Sequence, residues 1–240
     1  MALDAQEPDR ILVITAHPDD VDFGAAGSVA AWTAAGVHVT YCVVTDGDAG
    51  GFDEHVPRAQ IPGIRRAEQT AAAGEVGVTD LIFLGYPDGR VEPTLDLRRD
   101  LARVIRQVRP DRVLCPSPER WWEREFASHP DHLAVGEAAL CAVYPDARNP
   151  FAFPELAEAG FEAHKVREVW MMASPRSDTF VDVSATFDKK VAALRAHVSQ
   201  ETDRDGQLAE RLRVWLSVNA TQAGWGEGRL AESFFRLETA

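Results

Sequence analysis

The chain has 240 residues, which is enough to bury a sizeable core, and we expect residues 1–240 to form a single domain. Its 38 acidic and 25 basic residues give a formal charge of −13, which argues against a surface for nucleic acid or anionic membrane. The three cysteines lie far apart within apolar runs, so neither a disulfide framework nor a C-x-x-C metal knuckle is predicted, and a reducing cytoplasm is the expected compartment.

The first ten residues lead into a strand that ends in a cluster of polar side chains. They are acidic and lack an apolar core, so we do not expect a signal peptide, and no apolar run reaches the length of a membrane span. Residues 11–15 are apolar and β-branched, which predicts a buried strand, and His17, Asp19 and Asp20 follow it. Because the ligand crevice of an open parallel sheet lies beyond the carboxyl ends of its strands, we expect these side chains to line that crevice.

The next elements predict the fold class. A helix over 21–32 and a strand over 37–45 complete a strand–helix–strand unit, which is typical of a doubly wound α/β fold with a mostly parallel sheet and helices on both faces. The turn reads His-Pro-Asp-Asp rather than Gly-x-Gly-x-x-Gly. Its two carboxylates would repel a pyrophosphate, so a dinucleotide site is not predicted.

Acidic residues also follow the second and third strands. Asp48 lies in a glycine-rich loop after the second strand, and Asp88 lies in a Pro-Asp-Gly turn after a strand over 79–85. Both suit a metal or a polyhydroxylated ligand, although aspartate beside glycine is also a common turn sequence. Arg65, near the start of a helix over 64–73, either pairs with Glu68 on one helix face or reaches the crevice.

The second half continues the alternating pattern. A helix over 95–108 and a strand over 111–115 precede an irregular, proline-containing segment over 116–126. In that segment, Trp121 and Trp122 either form the wall of a sugar pocket or pack against a loop or a neighbouring subunit. We further predict a helix over 133–140, sheet-edge strands over 166–172 and 179–183, and helices over 186–200 and 206–220. His197, late in one of these helices, is interpreted as a cation that complements the helix dipole.

A second His-Pro-Asp sequence, residues 129–131, precedes His132 and also opens a helical pattern. One such tripeptide is usually a helix cap, but two of them, the first at a strand end, predict a site. His17, Asp20 and His132 form a ligand set that suits Zn²⁺ and leaves one position for water, and such ligands also accept Fe²⁺. The metal would lower the pKa of that water and polarise a carbonyl, which are the requirements of hydrolysis without a covalent intermediate.

The neighbouring side chains fit the remaining steps of amide cleavage. Asp19 is adjacent to a ligand and is the expected general base for the water. His129, when protonated, can supply a proton for the leaving amine or a hydrogen bond to the oxyanion. Asp131 is expected to hold that imidazole and to favour its charged form.

These motifs resemble the zinc-dependent de-N-acetylases of the PIG-L/LmbE type. The resemblance rests on residues 16–20 followed by Gly24 and Gly27, and on residues 129–132; weaker matches extend through 45–48, 65–68, 84–88 and 196–200. It departs from the family pattern at Val21, where many members carry glutamate, and at Ala127, where some carry tyrosine.

The resemblance implies a Rossmann-like fold and a role for each matching residue. Zinc would be bound by His17, Asp20 and His132. Asp19 would be the base and His129 the acid or oxyanion partner. The residues implied to contact the sugar side of the substrate are Asp48, Arg65 and Asp88.

Our leading hypothesis is a zinc-dependent hydrolase that removes the acetyl group of an N-acetylglucosamine-type sugar or conjugate, a small-molecule substrate. One alternative is an amidase for a larger acyl group, such as a thiol conjugate of a glucosaminyl-inositol. Another is a metal- or sugar-binding module without turnover, against which the spare carboxylate of Asp19 argues. A two-metal phosphoesterase would need more ligands than the motifs supply. The sequence leaves open the exact substrate, the choice between zinc and iron, and whether identical chains form an oligomer.

Overall fold

The computed structural model describes residues 8–51, 53–200 and 203–239. Within these residues, seven strands form one sheet in the order β3-β2-β1-β4-β5-β7-β6. The strands are β1 (Arg10–Thr15), β2 (His38–Thr45), β3 (Asp80–Tyr86), β4 (Arg112–Pro116), β5 (Glu168–Met172), β6 (Thr179–Asp182) and β7 (Ala231–Glu238). The α-helices are α1 (Asp20–Gly24), α2 (Ala26–Ala34), α3 (Ile61–Glu75), α4 (Leu95–Val108), α5 (Pro130–Cys141), α6 (Pro154–Glu158), α7 (Phe187–Arg195) and α8 (Leu208–Gln222).

The first five strands are parallel, and the sheet ends in an antiparallel edge. β1 pairs with β2 and β4, and the parallel ladder continues to β3 on one side and β5 on the other. β7 runs antiparallel to both β5 and β6. The strand order reverses at β1, and in such sheets ligands bind beyond the carboxyl ends of the strands at this point. The predicted α/β class with a mostly parallel sheet is confirmed.

Helices cover both faces of the sheet because the strand side chains alternate between two cores. Leu12 and Ile14 of β1 belong to a core cluster that includes residues of α4 and α5. Ile11 and Val13 belong to a second cluster with residues of α2, α3 and α7. All four side chains are fully buried, as expected for a central strand of a doubly wound fold. A third, smaller cluster joins α7, α8 and the β6 side of the sheet.

Close packing brings α5 onto the strand that lies beside β1. A Cβ atom on Gly136 would lie 2.5 Å from the carbonyl oxygen of Pro116, so only glycine lets the helix approach the end of β4 this closely. This approach places the start of α5, where the second His-Pro-Asp sequence of the chain lies, against the end of β1.

Local predictions differ from the structure at several points, and one of them concerns the strand expected at a sheet edge over 166–172, which is β5 and lies between β4 and β7. The helix expected over 21–32 is divided at Ala25, whose φ of −146° is not helical. The helix expected over 186–200 ends at Arg195, and a separate 3₁₀ turn follows at Val198–Gln200. Strand β7 was not predicted, because its mixed charged and apolar sequence lacks a clear strand pattern. None of the helices in the described ranges is both long and apolar enough to cross a membrane.

Candidate metal and catalytic site

The turn after β1 is closed by the side chain of Asp20. Its Oδ2 atom accepts hydrogen bonds from the backbone N–H groups of Ala16 and His17, at 3.1 and 2.8 Å. Its Oδ1 atom lies 3.0 Å from Nε2 of His132, in the first turn of α5. Pro130 occupies the start of that helix, where its missing N–H would have no helical partner in any case. Asp20 therefore joins the two His-Pro-Asp turns.

Three side chains direct ligand atoms at one point. Nδ1 of His17 lies 3.2 Å from Nε2 of His132 and 3.6 Å from the Asp20 carboxylate. When Zn²⁺ is coordinated tetrahedrally, two ligand atoms that are each about 2.0–2.1 Å from the ion lie roughly 3.3–3.4 Å from each other. The spacing and the donor types therefore fit one such ion.

The other nitrogen of His17 is fixed by carboxylates. Nε2 lies 3.0 Å from Asp88 Oδ1 and 3.2 Å from Asp131 Oδ2. Burial lowers the pKa of His17, but hydrogen bonds to Asp131, Asp20 and Asp88 outweigh it and raise the pKa to about 12. The surrounding carboxylates thus favour a positive charge at this ring, and a metal ion at Nδ1 would supply that charge in place of a proton. A carboxylate on the far side of a histidine is the usual means of orienting a metal ligand.

Asp131 has a different partner from the one expected. We predicted that its carboxylate holds His129, but in the structure it contacts His17 and accepts the backbone N–H groups of Gly89 and Val91, at 2.7 and 3.1 Å. His129 instead receives the backbone N–H of Asp131 on its Nδ1 atom, at 3.2 Å, and caps α5.

The surroundings of His129 favour its neutral form. Burial and the neighbouring His17 and His132 lower the pKa of His129, and Asp131 opposes this only in part. In a neutral imidazole whose Nδ1 accepts a hydrogen bond, the proton lies on Nε2. The helix cap therefore defines His129 as a donor through Nε2.

Asp19 has an unusual backbone conformation beside these ligands. Its φ of 92° lies in the left-handed region, which costs a non-glycine residue about 1–3 kcal/mol unless its surroundings compensate. Its N–H donates to Oε1 of Gln69 at 2.8 Å, and its Oδ2 lies 3.3 Å from a guanidinium nitrogen of Arg65. Burial and the charge of Asp20 raise the pKa of Asp19 to about 7, against the opposing effect of Arg65. A carboxyl group with this pKa suits proton exchange near neutral pH.

The model of the family PIG-L: GlcNAc-PI de-N-acetylase matches residues 12–143. The chain belongs to this family. The PIG-L match covers both His-Pro-Asp turns, and the resemblance predicted from them is confirmed.

Several relatives of this PIG-L protein are deacetylases. It is 32% identical over 192 residues to diacetylchitobiose deacetylase of Thermococcus kodakarensis, covering 80% of this chain and 70% of that protein. It is 33% identical over 198 residues to a probable N-acetyl-alpha-D-glucosaminyl L-malate deacetylase 2 of Bacillus cereus, covering 80% and 83% of the two chains. The solved structure of N,N'-diacetylchitobiose deacetylase from Pyrococcus horikoshii, complexed with its inhibitor MPG, matches with a TM-score of 0.88 and 27% identity, covering 97% and 85% of the two chains.

The three residues expected on the sugar side of the substrate are all engaged within the protein. Arg65 is 3% exposed, and its guanidinium binds the carbonyl of Pro18 as well as Asp19. Asp48 contacts Arg58 at 2.8 Å and accepts the backbone N–H of Asp88 at 3.0 Å, while the carboxylate of Asp88 contacts His17. These residues surround the site, and none of them lines the large cavity beside it.

That cavity has a volume of about 730 Å³ and borders Asp19, Asp20 and His132. Trp121 lines it, whereas Trp122 lies outside it and is 82% exposed. Phe180 and Trp215 also line it and were not singled out from the sequence. No motif marks them, because they reach the site only through the antiparallel edge of the sheet and α8.

Proposed function

We propose that this protein is a Zn²⁺-dependent hydrolase that removes the N-acetyl group of an N-acetylglucosamine-type sugar or conjugate. The observation that carries the proposal is the convergence of two imidazole nitrogens and one carboxylate beside Asp19, in a chain of a de-N-acetylase family. The three cysteines are unpaired, as a reducing cytoplasm would leave them, and we propose that compartment.

The metal would be held by Nδ1 of His17, the carboxylate of Asp20 and Nε2 of His132. When bound, Zn²⁺ supplies Lewis acidity, which lowers the pKa of a water molecule and polarises the amide carbonyl. Fe²⁺ accepts the same nitrogen and oxygen ligands, so the choice of ion in the cell rests on metal supply.

The protein groups then perform the proton transfers and the charge stabilisation. Asp19 accepts the proton of the attacking water, for which its pKa of about 7 is suitable, and returns it to the leaving amine as the C–N bond breaks. His129 donates a hydrogen bond from Nε2 to the developing oxyanion, since its Nδ1 is used in the helix cap. Asp131 and Asp88 keep the ring of His17 oriented, so that Nδ1 remains available as a ligand.

The decisive experiment is Asp19→Asn in metal-reconstituted protein. We expect amine release from N-acetylglucosamine derivatives to fall by at least about 100-fold, because the substitution removes the base. Bound zinc should remain at one ion per chain, because the three proposed ligands are unchanged. Asp96→Asn is the matched control, since that carboxylate is 76% exposed on α4 and should leave activity unchanged.

The outcomes separate the parts of the proposal. Retained hydrolysis in Asp19→Asn would show that another group is the base. Loss of zinc in that variant would place Asp19 among the ligands. Zinc binding without amine release from any derivative, in the unsubstituted protein, would favour a binding module. Two ions per chain would favour a two-metal hydrolase.

A further inference from the structure

The cavity beside the proposed catalytic residues extends in one direction from the site. Its walls lie beyond the ends of β4, β5 and β7 and reach α8, on the side of the sheet away from β2 and β3. The lining residues from 172 to 233 lie outside the segment matched by the family model, residues 12–143. The cavity is therefore bounded both by the matched segment, through residues such as Phe23 and Trp121, and by the part of the chain that follows it.

Five phenylalanine and tryptophan side chains line this cavity. They come from four separate parts of the chain: Phe23, Trp121, Phe126, Phe180 and Trp215. Met172 and Leu216 add further apolar surface. Sites of about 300–1,000 Å³ with such walls bury most of a drug-sized ligand, and the volume of about 730 Å³ far exceeds the need of a two-carbon acyl group.

Several polar side chains in the walls are already bonded within the fold. Ser174 accepts the backbone N–H of Arg176 at 3.1 Å, and Ser177 donates to the carbonyl of Ser174 at 3.2 Å. Asn219 donates to a backbone carbonyl of β7 at 3.0 Å. A buried second sugar ring needs partners for most of its hydroxyl groups. The lining also includes Arg124, Gln222 and Ser233, so the engaged groups and the five rings suit an apolar ring over part of the walls.

The carboxylate of Glu232 is likewise committed. It accepts the backbone N–H groups of Gly27 and Ser28, at 3.0 and 2.7 Å, and contacts Nζ of Lys190 at 2.7 Å. Its charge is thus balanced within the protein, so this wall does not require a cationic ligand.

From these observations we propose that the cavity binds an aromatic group of the substrate, so that the natural substrate is an amino-sugar amide that carries an apolar ring. The inference rests on the proposed function and names the substrate class of the same site. The ring is attached either to the sugar as an aglycone or to the amide as part of a larger acyl group. Both attachments present the same chemistry to Phe180, Trp215 and Trp121.

The test compares four substrates with the zinc-loaded protein: N-acetylglucosamine, its 2-naphthyl β-glycoside, N-phenylacetylglucosamine and N,N'-diacetylchitobiose. We expect one of the two aromatic compounds to exceed N-acetylglucosamine in kcat/KM by about 10–100-fold, because a buried ring adds binding that a single sugar lacks. The naphthyl glycoside reports an aglycone site, and the phenylacetyl compound reports an acyl site. Diacetylchitobiose with the highest kcat/KM would overturn the proposal in favour of a second sugar.

Substitutions of residues that line the cavity test whether the preference for an aromatic substrate depends on the cavity. Phe180→Ala and Trp215→Ala should each reduce the ratio of kcat/KM for the favoured aromatic compound to that for N-acetylglucosamine by about 5–10-fold. Ser177→Phe should reduce the same ratio by filling the cavity, which keeps the test valid if either alanine variant fails to fold. Trp122→Ala is the matched control, because that ring lies outside the cavity and is exposed. An unchanged ratio in all three lining variants would contradict the proposal.

Binding measurements separate this inference from the proposed function. The Kd of the naphthyl glycoside and of N-acetylglucosamine is measured by calorimetry with the same zinc-loaded protein. Tighter binding of the naphthyl compound without amine release would support the aromatic cavity and contradict hydrolysis. Amine release with equal affinity for both compounds would support hydrolysis and contradict the aromatic cavity.

Discussion

The side chain of Gln69 connects the proposed base to a buried carboxylate, and its removal should affect activity and stability together. Gln69 is fully buried on α3. Its Oε1 accepts the N–H of Asp19 at 2.8 Å, and its Nε2 donates to Asp22 Oδ2 at 2.9 Å. Asp22 also contacts Nε2 of His197 at 2.8 Å. The side-chain amide of Gln69 thus stabilises the left-handed backbone conformation of Asp19.

Gln69→Ala leaves one buried N–H and one carboxylate without this partner. Each such loss costs about 1–3 kcal/mol, so we expect a loss of about 2–6 kcal/mol in the free energy of unfolding. With Asp19 no longer held, kcat of the proposed deacetylation should fall by about 10–100-fold with little change in KM, since small misplacements of a catalytic group have effects of this size. Urea unfolding and steady-state kinetics of the zinc-loaded protein measure the two effects.

A second variant distinguishes the two bonds. Gln69→Glu keeps an acceptor for the N–H of Asp19 but places a carboxylate against Asp22, so stability should fall while kcat falls less than in Gln69→Ala. Gln107→Ala, on the exposed face of α4, is the control and should change stability by less than about 0.5 kcal/mol. Equal losses of kcat in the glutamate and alanine variants would refute the idea that this bond positions Asp19.

Three further predictions concern the scaffold. Lys190→Met leaves the carboxylate of Glu232 buried without its cation and should lower the free energy of unfolding by about 3–5 kcal/mol in urea titrations, with part of the loss recovered when Glu232→Gln is added. Gly136→Ala should lower the free energy of unfolding by at least about 1–3 kcal/mol, because the added Cβ would meet a backbone oxygen. Gly74→Ala is the control: this residue faces open space on α3, so the substitution should raise the free energy of unfolding by about 0.5–1 kcal/mol in the same assay. Burial alone would raise the pKa of Glu168, but a tryptophan N–H and two guanidinium groups lower the pKa below the ordinary value of 4.5. The stabilising contribution of Glu168 is therefore complete above pH 4.5 and is lost as the pH falls through the lowered pKa. Glu168→Gln should make the Tm less sensitive to acid in this range.

Local sequence patterns were sufficient for the parallel half of the fold. Strand β1 and its buried neighbours have continuous apolar runs, and each ends in polar residues at the same edge of the sheet. Because parallel strands place their carboxyl ends together, His17 and Asp20 were predicted to lie in one crevice. The antiparallel edge had no comparable signal. Phe180 and Trp215 reach the cavity through pairing between distant segments, which local periodicity does not encode.

The partner of Asp131 could not be predicted from its neighbours in the sequence. His129 precedes the helix and its ring accepts the backbone N–H of Asp131, whereas the carboxylate of Asp131 accepts the backbone N–H groups of Gly89 and Val91 from a distant loop. The contact of that carboxylate with the ring of His17 joins residues 114 positions apart. His197, expected to complement the helix dipole, lies after the end of α7; its ring is fully buried and contacts Asp22, which is 175 positions away in the sequence.

The two His-Pro-Asp sequences show why a repeated motif identifies a site without assigning the role of each residue. In the second copy the backbone enters a regular helix, so His129 caps the helix and Asp131 turns inward to orient His17. In the first copy the left-handed conformation of Asp19 directs its carboxylate to the cavity wall beside Asp20. The same tripeptide therefore provides a structural carboxylate in one turn and the proposed base in the other. The backbone conformation at the aspartate, and not its place in the motif, decides between the two roles.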